Sequence, residues 1–150
     1  MAGEEYSFRI EGTWSGGEAG HGAIQCATGR VEFAIPVELG GTGGRSSAEA
    51  MLLNAVASCY CITFGLLAER RKLPLDRVEI VATGSVVRQP GGTLKFVSMA
   101  LKPRILMNGA DELQIKTAED FAHKAEQYCL ISNAIRGNVE VTLEPVVVNS

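Results

Sequence analysis

The feature that most constrains this chain is a long apolar stretch near its middle, Ser46 to Lys72. It reads SSAEAMLLNAVASCYCITFGLLAERRK and carries no charged residue between Met51 and Ala68. Its start fits a capping box, with Ser46 as N-cap and Glu49 reaching back from the third helical position. The stretch predicts a helix that is apolar on all sides, which protein or lipid must then cover on every side.

A membrane span is the first alternative, because the uncharged part reaches the lower limit of about 17 residues for a spanning helix. Against it, Asn54, Ser58 and Thr63 are polar, and several small residues dilute the apolar character. The remainder of the chain also has the pattern of a soluble domain that needs a central core element. We therefore predict a core helix and no membrane partner.

Length and composition narrow the class of protein. A chain of 150 residues with 46% apolar and 21% charged residues predicts one globular domain, 1–150. The net charge of -3, with no cluster of basic residues, argues against a nucleic-acid partner. The N-terminus lacks the apolar segment of a secretory signal, so we expect a cytoplasmic protein, in which structural disulfides are rare.

Three short strands are predicted before the helix. Glu4 to Trp14 alternates apolar and polar residues, and Ala23–Ala27 and Arg30–Val37 are two further short strands, so the three predict an antiparallel meander. A glycine-rich loop, Gly40 to Arg45, then leads to the helix. It lacks the GxxxxGK[ST] spacing of a phosphate-binding loop, and we interpret it as a mobile connector.

Two long strands follow the helix, at Asp76–Arg88 and Leu94–Met107. The turn signal Gln89-Pro90-Gly91-Gly92 lies between them and predicts a hairpin.

A second helix and a last strand complete the chain. The sequence from Thr117 to Asp120 fits a second capping box, and the apolar stripe of the helix that it opens runs to Cys129. Gly137 should end this helical region. The segment Asn138 to Val148 predicts one final strand.

The resulting order, β-β-β-α-β-β-α-β, indicates an α+β fold, because the helices are too few and the strands too hairpin-linked for a doubly wound parallel sheet. Two chains could cover their apolar helices by packing them together, and we expect a homodimer for that reason.

The four cysteines permit several interpretations. A free cysteine is often only a small buried hydrophobe, and we predict this for Cys26. Because Cys59 and Cys61 are two residues apart on a helix, they point to nearly opposite sides and cannot bond to each other. A zinc site formed by Cys59, Cys61, His123 and Cys129 would lack the usual CxxC spacing. The residues by themselves indicate a soluble thiol protein and nothing narrower.

Two longer motifs carry a resemblance. The segment EAMLLNAVASC, Glu49 to Cys59, resembles the helix of the OsmC/Ohr family of thiol peroxidases, in which a Glu precedes the reactive Cys by ten residues. The segment CLISNAIRGNVEV, Cys129 to Val141, is similar to the second motif of that family, which leads from the resolving Cys into the final strand.

The resemblance implies a dimeric enzyme without cofactor or metal that reduces hydroperoxides, preferably organic ones. Cys59 would be the peroxidatic thiolate, which attacks the O–O bond and becomes a sulfenic acid. Cys129 would be the resolving thiol, which condenses with it to a Cys59–Cys129 disulfide. An external dithiol would then reduce that disulfide.

A thiolate at neutral pH needs a nearby cation, since burial raises the pKa of a thiol. In this family an Arg held by the Glu supplies it, and Glu49 fits the Glu position, although the capping box is an equally good account of it. On one straight helix Glu49 and Cys59 are about 15 Å apart along the axis. Either the helix bends or the partner chain supplies the Glu, and we expect the second.

The arginine is where the resemblance is weakest. Arg45 is the first candidate to stabilise the thiolate and Arg30 the second, and both also fit ordinary solvated loop residues. Leu130 and Ala48 stand where the family often has Pro. These departures keep open an alternative function, an OsmC-like small-molecule binding dimer with little or no peroxidase activity.

Overall fold

The computed structural model describes residues 3–150, which divide into two compact units, one ending at Met51 and the other covering Leu52–Ser150. The strands and the short 3-10 turn of the first unit are β1 Glu11–Ser15, β2 His21–Cys26, β3 Gly29–Phe33 and the turn Val37–Leu39. The long helix α1, Ala48–Arg70, starts at the end of that unit and continues in the second. The remaining elements are β4 Leu75–Arg88, β5 Leu94–Met107, α2 Glu112–Tyr128, α3 Leu130–Ile135, β6 Glu140–Leu143 and β7 Val146–Asn149.

The first unit is an antiparallel meander in the order β1-β2-β3, as predicted. The rings of Trp14 and Phe33 stack with their centroids 5.6 Å apart. The predicted strand from Glu4 is wrong in its first part, since β1 begins only at Glu11 and Phe8 is 92% exposed. Alternation shows which side of a strand could be buried, but a strand also needs a neighbouring strand for its backbone hydrogen bonds. In the described chain residues 4–10 have no neighbouring strand.

The glycine-rich loop is closed by backbone hydrogen bonds. The amides of Gly40 and Gly41 donate to Val37 and Pro36, each at 3.0 Å. A Cβ at Gly41 would lie 2.0 Å from the carbonyl oxygen of Ile35, so only glycine fits there. The connector is thus a hydrogen-bonded turn, and its mobility stays a prediction.

Helix α1 begins one residue later than predicted. Ser47, not Ser46, accepts the backbone amide of Ala50 on its hydroxyl, at 3.1 Å. Glu49 therefore occupies the second helical position and not the third, so it does not complete a capping box. Its Oε2 atom is buried and has no hydrogen-bond partner among residues 3–150.

The other end of α1 has the hydrogen bonding of a common helix terminus. Lys72 adopts a left-handed conformation, with φ 53°. The amides of Lys72 and Leu73 donate back to Glu69 and Ala68, at 3.0 and 2.9 Å, which is the bonding of a Schellman motif. A lysine occupies the position where glycine is usual.

One face of α1 forms the centre of the core in the second unit. Val56, Tyr60, Phe64 and Ala68 recur every four residues and are all buried. The hydroxyl of Tyr60 donates to the carbonyl of Ala122 on α2, at 2.8 Å, and burial raises the pKa of this phenol. Each fully buried large side chain contributes roughly 1.5–3 kcal/mol.

The opposite face of α1 is open in the single chain. Ile62 is 63% exposed and Leu66 is 49% exposed. By length and composition α1 is the one helix in the described part that is apolar enough to cross a membrane, which is weak evidence because core helices share this property. Its packing against α2 makes it a core helix of this fold.

The second sheet has the order β4-β5-β6, with β7 also paired to β5. The predicted β4–β5 hairpin is confirmed, and its bounds agree within one residue. The predicted single last strand is wrong, because it is divided into β6 and β7. Pro145 lies at the break, where it cannot donate to a ladder, and the amide of Glu144 turns to the carbonyl of Leu101, at 2.9 Å.

A second proline faces that break. Strand β5 pairs in parallel with β6 over Ser98–Leu101 and with β7 over Arg104–Met107. Pro103, which is fully buried in β5, falls between the two paired segments. The two prolines, Pro103 and Pro145, therefore lie at the same interruption of the strand pairing, which we call the seam of the second sheet.

Helix α2 starts earlier than predicted. Asp111 is its N-cap and forms a capping box with Gln114, with distances of 2.8 and 2.9 Å. Thr117, the predicted cap, lies inside the helix and donates its hydroxyl to Leu113, at 2.8 Å. Both segments fit the capping pattern, and the earlier one directly follows Gly109, which turns the chain with φ 65°.

The element order is therefore β-β-β-α-β-β-α-α-β-β, and the predicted α+β class is confirmed. It differs from the prediction by the split last strand and by the short helix α3, which Gly137 terminates with φ 87°. That residues 1–150 fold as a single domain stays a prediction.

Candidate active site

The candidate site is a crevice between α1 and the corner where α2 meets α3. It has a volume of about 450 Å³ and an apolar lining. Its main lining residues are Cys59, Ile62, Thr63, Tyr128, Leu130 and Ile131. Cys59 lies one position before Tyr60, so it leaves the core face of α1 and points its thiol into this crevice.

Cys129 forms the corner itself. It has an extended backbone, with φ -65° and ψ 117°, and serves both as C-cap of α2 and as N-cap of α3. The prediction that it lies on the stripe of α2 is therefore wrong, although its side chain is fully buried as expected. Its sulfur accepts the backbone amide of Ser132, at 3.4 Å.

The fold brings the two thiols together. The Cys129 thiol and the backbone amides of Leu130 and Ile131 are potential donors beside the sulfur of Cys59, and each of them lowers the pKa of that thiol. These amides belong to the first turn of α3, whose N–H groups have no partner within the helix. One corner of the chain thus supplies both the second sulfur and two donors to the first.

The pKa of Cys59 results from opposing effects. Burial raises it, but the hydrogen bonds from Cys129, Ile131, Thr63 and Leu130 together lower it below the usual value. Thr63 has a single hydroxyl proton, which also reaches the carbonyl of Cys59 at 2.8 Å, so it serves one acceptor at a time. None of the donors that lower this pKa is a cation.

The pKa of Cys129 is shifted in the opposite direction. Burial raises it, a hydrogen bond from Ser132 lowers it in part, and the neighbouring Cys59 raises it further. Of the two thiols, Cys59 therefore ionises first. The thiolate is the nucleophilic form of cysteine, so the geometry prepares Cys59 to react while Cys129 is still protonated.

Arg136 connects the two helices that meet at Cys129. Its guanidinium donates to the carbonyl of Glu126 at 3.2 Å and to the side chain of Asn133 at 3.1 Å. One nitrogen also lies 3.1 Å from a carboxylate oxygen of Glu126, an ion-pair distance without hydrogen-bond alignment. These contacts join the last turn of α2 to α3.

The other cysteines are not among the groups that shift the pKa of Cys59 or Cys129. Cys61 is half-buried on α1, where burial raises its pKa, and Cys26 is half-buried at the end of β2. His123 is exposed on α2. Within residues 3–150 no group of three His, Cys, Asp or Glu side chains is arranged to hold a metal ion.

The remaining predicted site residues belong to the first unit. Arg45 is exposed and takes part in none of the ion pairs of the described residues. Arg30 lies 3.9 Å from Glu32 across exposed surface. The donors around Cys59 all come from the second unit, and the roles expected for Glu49, Arg45 and Arg30 stay predictions.

Three residues of the site were not singled out from the sequence. Thr63 is four positions after Cys59, on the same helical face, which was a usable signal. Ser132 and Arg136 both lie inside the second motif. Their contacts depend on the corner at Cys129, which helical periodicity does not indicate.

Comparison with known proteins identifies the family to which the chain belongs. A family model described as OsmC-like protein matches residues 41–144. The chain is 30% identical to the uncharacterized protein YmaD of Bacillus subtilis over 93% of each chain. It is also 30% identical to the organic hydroperoxide resistance protein of Xanthomonas axonopodis pv. citri, over 93% of this chain and 95% of that one.

A solved structure of a related protein shows the same similarity. The organic hydroperoxide resistance protein OsmC from Legionella pneumophila superposes with a TM-score of 0.75 at 28% identity, covering 95% of this chain and 99% of that one. The family model, the relatives and the shared fold support one conclusion. This chain belongs to the OsmC/Ohr family of OsmC-like proteins.

Proposed function

We propose that this protein is a cysteine-based peroxidase that reduces organic hydroperoxides. The observation that supports this most is the pair of thiols, Cys59 and Cys129, which influence each other's ionisation and have pKa values shifted in opposite directions. The relatives named organic hydroperoxide resistance protein support the same class of substrate.

In the first step Cys59 is the nucleophile. Its thiolate attacks the outer oxygen of the hydroperoxide, the O–O bond breaks, and the alkoxide that leaves takes a proton from solvent to become an alcohol. The sulfur is oxidised to a sulfenic acid, and the peroxide is reduced by two electrons.

In the second step Cys129 resolves the sulfenic acid. Its sulfur, after losing its proton, attacks the sulfur of Cys59, an S–S bond forms and the S–O bond breaks. The hydroxide that leaves combines with the lost proton as water. An external dithiol then returns two electrons and two protons to the disulfide, so the cycle needs no cofactor.

The crevice supports a preference for organic peroxides. Ile62, Tyr128 and Leu130 are exposed apolar side chains at its edge, and they offer an alkyl group more contact than they offer hydrogen peroxide. A compartment with reduced dithiols suits the recycling step, so we place the protein in the cytoplasm.

We also propose that the functional unit is a homodimer. The open face of α1, with Ile62 and Leu66, provides the apolar surface for it. The buried, unpartnered carboxylate oxygen of Glu49 supports a role in holding a guanidinium, for which Arg45 is the first candidate. Since Glu49 and Cys59 are ten positions apart on α1, Glu49 would serve the Cys59 of the other chain.

The test is a thiol count after one equivalent of cumene hydroperoxide. The wild-type protein should lose two free thiols and gain a disulfide that joins the Cys59 and Cys129 peptides in mass spectrometry. Cys59→Ser should lose none, whereas the control Cys61→Ser should behave as wild type. Four intact thiols in the treated wild-type protein would rule out the peroxidase.

That negative result would favour the second candidate, a small-molecule binding dimer. The open apolar crevice beside Cys59 is the observation on which this candidate depends. It predicts a co-purified apolar ligand, detectable by mass spectrometry of an organic extract, together with thiols that resist peroxide.

A further inference from the structure

Ser132 carries a buried hydroxyl on the first turn of α3. The residue is 1% exposed, and its Oγ atom has no aligned hydrogen-bond partner in residues 3–150. Most buried side-chain polar atoms are paired, because leaving one unpaired is costly. A hydroxyl rotates freely about its C–O bond, so it turns its proton toward whatever acceptor lies within reach.

The acceptor within reach is Cys129. Ser132 is three residues further along the chain, and its backbone amide already bonds the Cys129 sulfur at 3.4 Å. The Ser132 hydroxyl, which has no aligned partner in this structure, also lowers the pKa of Cys129, against the effect of burial. Cys129 is itself fully buried, so no water replaces this donor.

We propose that Ser132 is a positioning residue for the resolving step, in which its hydroxyl donates to Cys129 as that sulfur becomes a thiolate. The inference rests on the proposed function, because it assigns a role within the second step. A neutral thiol is a weak acceptor and a thiolate a strong one, so the bond tightens when Cys129 loses its proton.

The role is specific to the second step. The donors that act on Cys59 are Cys129, Thr63 and two backbone amides, and Ser132 is not among them. Removal of the Ser132 hydroxyl should therefore leave the attack on the peroxide unchanged. It should slow only the step in which Cys129 loses its proton, forms the S–S bond and expels hydroxide from Cys59.

The two steps are separated by stopped-flow mixing with one equivalent of cumene hydroperoxide. In Ser132→Ala we expect sulfenic acid to form at the wild-type rate and the disulfide to form roughly tenfold to a hundredfold more slowly, the usual effect of losing a hydrogen bond to a charged group. Dimedone should trap more sulfenic acid, and the pH profile of the second step should move to higher pH.

Thr117→Val is the matched control. It also deletes one hydroxyl, but that hydroxyl is committed to the carbonyl of Leu113 within α2. Wild-type rates in both steps are expected. Ser132→Thr, which restores a hydroxyl, should recover part of the second-step rate; equal second-step rates in Ser132→Ala and wild type would overturn the inference.

A second measurement does not depend on peroxidase activity. In a chain that keeps only Cys129, through Cys26→Ser, Cys59→Ser and Cys61→Ser, thiolate absorbance near 240 nm reports the titration of this residue. Adding Ser132→Ala should move that titration to higher pH without loss of the folded signal in circular dichroism. An unchanged titration would refute the role of Ser132, whether or not the wild-type protein reduces peroxides.

Discussion

The two faces of α1 are almost equally apolar in sequence, yet their surroundings differ completely. On the inner face Tyr60 and Phe64 are fully buried against the core of the second unit. On the outer face Ile62 and Leu66 are exposed, and Cys59 points into an open crevice. The same helix is therefore a core element on one side and the wall of the candidate site on the other.

The difference shows what decides the chemistry of a thiol on such a helix. Cys59 and Cys61 are two residues apart, and burial raises the pKa of both. Only Cys59 faces the corner of α2 and α3, where three donors, together with Thr63 of α1 itself, reverse the effect. Burial alone makes a cysteine inert, and the neighbouring element makes it reactive.

The largest expected effect is a difference in the free energy of unfolding between substitutions on the two faces of α1. Phe64→Ala should lower the free energy of unfolding by about 3–5 kcal/mol, because it leaves a cavity in the core. Leu66→Ala should cost about 0.5 kcal/mol in dilute protein, and more at concentrations where chains associate, because a second chain then covers this face. Urea titrations at two protein concentrations measure both; equal losses for the two variants in dilute protein would contradict the comparison.

The next effect concerns the donor that Cys129 provides to Cys59. Cys129→Ala removes it, so the pKa of Cys59 should rise and its thiolate fraction at neutral pH should fall. Iodoacetamide alkylation of Cys59, followed by peptide mass spectrometry across pH, should show the reaction setting in at higher pH than in wild type. Cys129→Ser keeps a hydroxyl donor and should show a smaller displacement, whereas identical profiles for all three would exclude the donor.

Thr63 should have a weaker influence of the same sign. Thr63→Val keeps the shape of the side chain and removes its hydroxyl, so the pKa of Cys59 should rise, but less than in Cys129→Ala, since Thr63 divides its one proton between two acceptors. Thr63→Ser retains the hydroxyl and serves as the control in the same alkylation assay. A larger displacement for Thr63→Val than for Cys129→Ala would make the hydroxyl, and not the second thiol, the stronger donor to Cys59.

The smallest expected effect is a change in the stability of the protein that leaves the reactivity of Cys59 unaltered. Lys72→Gly relieves a left-handed conformation at the end of α1 and should raise the free energy of unfolding by about 0.5–1 kcal/mol. Because Lys72 touches neither thiol, the pH profile of Cys59 alkylation should stay at its wild-type position. A stabilised variant with altered Cys59 reactivity would show that the two properties of α1 are not independent.

The sequence predicts correctly those elements whose limits are set by residues close together in the chain. The hairpin of β4 and β5 was predicted within one residue, because its turn contains Pro90-Gly91-Gly92 between two long alternating strands. The helix α1 was predicted for the same reason, since no competing signal interrupts it. Its first residue was missed by one, because Ser46 and Ser47 are both good caps.

The errors occur where a choice depends on contacts distant in sequence. Residues 4–10 alternate like a strand but have no neighbour in the described chain. The two capping patterns, at Asp111 and Thr117, are not ranked by their own residues. The start at Asp111 is held by the distant side chain of Asn149, which bonds the backbone of Ala110. The proximity of Cys59 and Cys129 was expected from the family resemblance and not from spacing, and the contribution of Ser132 required the corner itself.

The seam in the second sheet also affects the register in which the C-terminal strands pair with β5. Pro103 has no N–H to donate, and on this side of β5 it lies opposite the interval between β6 and β7, where neither strand is paired. A slip of the C-terminal segment along β5 would move the interval away from that proline. We therefore expect other alignments of the C-terminal segment to be less stable than the observed one, so the register on this side of β5 is well specified.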